Sequence, residues 1–110
     1  MSGWVLRLFD VETPTMHVAR FISWMRCGER NDYAWVELDP PLARLEPGRE
    51  PIGLAVLAPR HEGIRLNEPI AESPVHVMVL AAPDEIAREE VVPPDALSIV
   101  AWATIEREMP

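Results

Sequence analysis

A chain of 110 residues with 48% hydrophobic content and a mean hydropathy of −0.01 fits one folded domain over 1–110, with enough apolar side chains for a core. The net charge is −8, all ten basic residues are arginine, and neither lysine nor glutamine occurs. With no basic cluster along the chain, nucleic acid and anionic membrane surfaces are disfavoured as partners. The single cysteine, Cys27, precludes an internal disulfide and reads as a small buried hydrophobe.

No apolar run approaches the roughly 18 residues of a spanning helix. The opening "MSGWVLRLFDVE" has no basic region and no small-residue cleavage site, so no leader is expected. The expectation is a cytoplasmic protein, or one built into a particle assembled inside the cell.

Residues 3–12 read as an interior strand, with Trp4, Leu6 and Leu8 on one face and Val5, Phe9 and Val11 on the other. Over 14–27, Val18, Phe21, Ile22 and Met25 fall at helical spacing. Thr13 can cap that helix, Pro14 suits its first position, and Gly28 can close it in a left-handed conformation. An amphipathic helix is the preferred reading. The alternative makes 14–27 a strand, supported by its Phe-Ile and Trp residues and by the loop-like "GERND" that follows.

Residues 32–38 read as a strand with Ala34, Val36 and Leu38 on one face and Tyr33, Trp35 and Glu37 on the other. Pro40 and Pro41 then stop it, opening a proline-rich connection over 39–51. Residues 52–58 are an all-apolar strand, and 59–74 a long link in which Ile64 and Leu66 suit a short edge strand. In 75–81 the valines share one face and His76, Met78 and Leu80 the other. Residues 83–95 carry five acids and one arginine, half of the net charge, with room for a helical turn near 84–90. A last strand is expected within 96–108, although its apolar run also fits a buried helix.

The expected fold is therefore α+β: about five mostly antiparallel strands in a curled sheet or small barrel, with one helix. An all-β barrel or sandwich is the alternative. Five strands at about 4.8 Å spacing span about 24 Å, whereas one helix is about 10–12 Å across. Apolar strand surface thus exceeds what one helix hides. Curling plus association answers the excess best, and a homo-oligomer is expected.

Catalytic patterns are missing. In "RHEGIR" (60–65), His61 beside Glu62 is the most site-like string, but the second histidine of HExxH is replaced by Arg65. His17, His61 and His76 have no metal-ligand spacing, so neither a metal nor a cofactor is implied. Without lysine, a Walker A loop and Schiff-base chemistry are excluded. The reading leans against an enzyme.

The leading functional expectation is a non-enzymatic protein–protein interaction module, an oligomeric structural or accessory subunit; a virus or phage particle component is one concrete version. Its interaction surface is expected at the aromatic pair Tyr33 and Trp35 and at the acids Asp84, Glu85, Glu89 and Glu90. One alternative is a small-molecule binder or small enzyme with a pocket in the curled sheet, its polar groups His61, Arg65 and His76. Another is an acidic inhibitor or immunity-like protein meeting a basic partner.

Overall fold

Val75, Val77 and Val79 are buried while His76 between them is exposed, the period of two of a strand with one face on a core. In the computed structural model, which describes residues 3–8, 16–43, 48–61, 63–67 and 75–107, seven strands form one sheet. They are β1 (Gly3–Leu8), β2 (Met16–Cys27), β3 (Arg30–Leu42), β4 (Ile52–Pro59), β5 (Val75–Ala81), β6 (Val91–Val92) and β7 (Ser98–Arg107). β1 pairs antiparallel with both β2 and β7, so β1, β2, β3, β4, β5 and β7 close into an antiparallel ring. β6 stands outside the ring, parallel to the last residues of β2. Ala19, Val36, Leu57, Val77, Val79 and Ile105 fill the interior, as side chains do in small barrels.

The expected α+β fold with a helix over 14–27 is overturned: the protein is mostly β, and the segment is strand β2 from Met16 onwards. Thr13 and Pro14, the expected helix start, lie outside the described residues, as do Phe9 and Val11. The misleading spacing has a specific origin. Phe21 opposes Val36, whereas Ser23 opposes Trp35, so β2 carries one extra residue. That β-bulge shifts the two-residue alternation by one. Ala19, Phe21 and Trp24 consequently share the inner face, and Ile22, Met25 and Cys27 the outer. Apolar residues on both faces of a bulged strand reproduce the 3–4 spacing of a helix. Gly28 does adopt a positive φ of 61°, but in the two-residue turn that joins Cys27 to Arg30.

Pro40 and Pro41 do not end their strand either. β3 runs through them, with a cis peptide at Asp39-Pro40. β2 pairs with β3 only as far as Asp39, and the β4 ladder skips from Glu37 to Leu42. The prolines occupy the unpaired interval, where a missing N–H costs no ladder bond.

Residues 82–97 form a strap across the outer wall. It holds two 3-10 turns, Asp84–Ile86 and Pro94–Ala96, with β6 between them. Ile86, Val92, Ala96 and Leu97 pack on Met25, Cys27, Trp35, Val56 and Leu80. Trp35 is 0% exposed beneath this strap, and its indole Nε1–H donates to the Glu89 carbonyl at 2.8 Å. The Arg26 N–H donates to the Glu90 carbonyl, also at 2.8 Å. Burying an indole of this size contributes about 4–6 kcal/mol gross. Trp35 is thus not part of an exposed aromatic pair: the strap covers it, and Tyr33 beside it is half-buried. Closure of the ring and the strap together hide surface that had been expected to require a partner.

If the strap is held chiefly by Trp35, Trp35→Phe should cost about 2–3 kcal/mol through the lost hydrogen bond and the space left behind. Cys27, whose thiol burial pushes above its usual pKa, lies under the same strap. Thiol labelling of the native protein should be slow, and should accelerate in Trp35→Phe together with amide exchange at Glu90 and Val92.

Candidate functional site

The string at 60–67 that looked most like a site serves largely to close one end of the barrel. Leu66 is fully buried in the core cluster, and its N–H donates to Asp32 Oδ2 at 3.1 Å. Arg30 donates to both oxygens of the same carboxylate, from Nε at 2.8 Å and Nη2 at 2.9 Å. Nη2 also donates to the Ile64 carbonyl at 2.8 Å. Burial alone raises the Asp32 pKa, but the Arg30 hydrogen bonds, the Leu66 N–H and the arginine charge together hold it below the usual value. Asp32 therefore pins the loop over the barrel end; sequence alone marked it only as the first residue of a strand.

His61 and His76 do come together, their rings edge to face with centroids 6.1 Å apart on the outer surface. Nearby along the chain, Arg60 lies over Trp102 at 4.8 Å. Arg65 is placed elsewhere, its Nη1 donating to Asn31 Oδ1 at 3.3 Å. All three expected ligand residues are exposed, and the barrel interior they were to serve is packed with aliphatic side chains. Glu62 lies outside the described residues. Asp84, Glu85, Glu89 and Glu90 are exposed along the strap.

A different group of residues lines a groove on the surface. Its volume of about 490 Å³ lies between Ser23, Trp24, Met25, Arg26, Asn31, Arg88 and Glu90. The β2 bulge turns Trp24 to the barrel mouth, where it stacks obliquely on Phe21 (4.8 Å) and on Trp4 (6.2 Å). Trp4 and Phe21 are themselves in edge contact at 5.9 Å. Trp24 remains 38% exposed, a rigid aromatic surface backed by two others. Arg26 and Arg88 are both exposed, and neither guanidinium has an ion pair among the described residues. Arg65 reaches the same rim through Asn31. Arg88 has φ 66°, the left-handed region in which a residue with a Cβ costs about 1–2 kcal/mol.

Of these lining residues, only Glu90 was an expected interaction residue. Trp24, Arg26 and Arg88 were missed because they come from two segments and from the far side of an irregularity. No protein-family model, curated protein or solved structure matches the chain.

Two outcomes follow from the geometry. The Asp32 carboxyl titrates lower in the folded protein than in the unfolded chain, where about 3.9 is ordinary. Its stabilisation is therefore complete above about pH 5 and lost as pH falls through the folded value. Arg30→Ala, which leaves a buried carboxylate without its partner, should cost about 3–5 kcal/mol at neutral pH. Asp32→Asn should flatten the acid limb of stability against pH, measured by urea unfolding across pH 2–7. Arg88→Gly relieves the left-handed strain and should leave stability unchanged or raised by about 1 kcal/mol, read as a thermal midpoint no lower than that of the parent.

Proposed function

We propose that this protein is a non-enzymatic interaction module that docks an anionic stretch of a protein partner in the Trp24–Arg26–Arg88 groove. One observation carries the reading. On a chain of net charge −8, two arginines with no ion pair among the described residues line one groove with an exposed tryptophan and a single acid, Glu90. Tryptophan and arginine are the side chains that dominate interface energetics, one through area and the other through planar, forked donation to carboxylates. The aromatic backing by Phe21 and Trp4 holds the indole in place before anything binds, which lowers the ordering cost of docking. The strap hides the part of the barrel wall around Trp35, while Val91, Ile99 and Val100 stay exposed away from the groove. An accessory or structural subunit contacting another protein is the form of the proposal that the groove supports.

Titration with a hexaglutamate peptide at low salt, followed by amide chemical shifts, tests it. Shifts should concentrate at 23–26, 31 and 88–90, and should shrink as NaCl rises from about 50 to 500 mM. Charge reversal of both arginines, Arg26→Glu with Arg88→Glu, should abolish them. Shifts that are scattered over the surface, or that survive the double reversal, sink the reading.

A further inference from the structure

The strap covers one side of the barrel, and the far side carries a surface of different character. β3, which holds Trp35 beneath the strap, lies three strands from β7 in either direction around the ring, so β7 forms the opposite wall. Ala101 and Ala103 of β7 pair with Val79 and Val77 and face inwards, which turns Trp102 outwards beside Met78. An extra residue at Val100 then keeps Ile99, opposite Leu80, on the same outer side. Ile99 is 51% exposed and Val100 38%. Beyond Trp102 come Arg60, its guanidinium 4.8 Å over that ring, and the edge-to-face pair His61 and His76.

We propose that this wall docks the strap of a second copy of the chain, joining copies head to tail. Among the described outward residues of β5 and β7, Glu106 is the only acid, and it pairs with Arg7 at 3.8 Å. Arg60 has no ion pair among the described residues. A guanidinium lying on an indole keeps its N–H edge free for a carboxylate and is already ordered. The strap presents the complement. Glu85 and Glu89 are exposed and without an ion pair among the described residues, and Val91 at the crest is 68% exposed. Val91 suits Ile99 and Val100, and the glutamates suit Arg60 and the imidazole N–H groups of His61 and His76. Both halves of the match stand on this one chain, and each lacks its counterpart within a single copy. That is what favours a second copy over an unrelated protein.

Because strap and wall lie on opposite sides, the contact is heterologous. A joined pair still offers one free strap and one free wall, so growth runs on into a ring or filament and cannot stop at a two-fold dimer. The inference stands without the groove reading, since none of Arg60, Ile99, Trp102, Glu85, Glu89 and Val91 lines the groove.

Sedimentation equilibrium from about 10 µM to 1 mM tests it, a range that captures micromolar to millimolar association. The mean mass should climb beyond twice that of the monomer, and less steeply as NaCl rises to about 500 mM. A wall variant carries Arg60→Glu with Ile99→Thr, and a strap variant Glu85→Gln and Glu89→Gln with Val91→Thr. All five side chains are exposed, so each variant should keep the parent's thermal midpoint within a few degrees. Each alone should remain monomeric. Mixed, they should form a 1:1 dimer and stop there, because one intact strap meets one intact wall; that dimer also shows that both variants fold.

A parent protein that stays monomeric to 1 mM overturns the proposal, as does a mass that levels off at twice the monomer. Association of either variant alone at the parent's strength, or a mixture that stays monomeric, overturns it equally. None of these results bears on hexaglutamate binding in the groove.

Discussion

The extra residue in β2 between Phe21 and Ser23 governs what the rest of the molecule can do with that strand. Before it, odd-numbered side chains face the barrel interior; after it, even-numbered ones do. Trp24 is thereby brought to the mouth against Phe21, while Met25 and Cys27 are sent outwards under the strap. A regular strand would place Trp24 on the outer wall and Met25 in the interior. The aromatic cluster, the seat of the strap and the groove between them share this one backbone irregularity. Bulges re-aim side chains at barrel rims in this way generally.

The same feature marks where sequence reasoning stops. The valines of β5, the alternation of Ala34, Val36 and Leu38, and the apolar run of β4 were legible because β5 and β3 carry no extra residue within those stretches and β4 is apolar throughout. In β2 the bulge turned a two-residue period into something nearer three and a half, and caps at the ends of the segment fitted a helix. Gly28 compounded the error. A positive φ is demanded equally by a helix end and by a tight hairpin, so the residue could not discriminate between them.

The strap was misread for a different reason. Residues 83–95 carry enough acid to look like a solvated run, yet Ile86 and Val92, and Ala96 and Leu97 just beyond, point one way and close over Trp35. Four apolar residues spread over three short irregular elements have no period to detect. Their partner was equally ambiguous, since Trp35 alternates with Tyr33 and Glu37 and so appeared to lie on the polar side of β3. A strand buried on both faces departs from the inside–outside rule; only the tertiary placement of the strap shows it. The candidate site was hidden likewise. Arg26, Arg65 and Arg88 are far apart in sequence, and no linear window contains a basic cluster.

Exposed charged residues have a familiar defensive use, because they discourage indiscriminate association. Arg26 and Arg88 fit that use in part, but their surroundings do not. A defended surface is served by exposed charge and little apolar area, whereas here Trp24 presents a supported aromatic face beside the cations. Nor does defence call for Arg88 to sit in a left-handed conformation when glycine would adopt it freely. The chain's overall negative charge is also no obstacle to an acidic partner at contact range. At physiological salt the Debye length is about 8 Å, so acids remote from the groove are largely screened, and within it two guanidinium groups outnumber the one carboxylate, Glu90. Net charge then slows the approach of an acidic segment, and the local cations decide where it stops. A surface of that kind favours selectivity over speed.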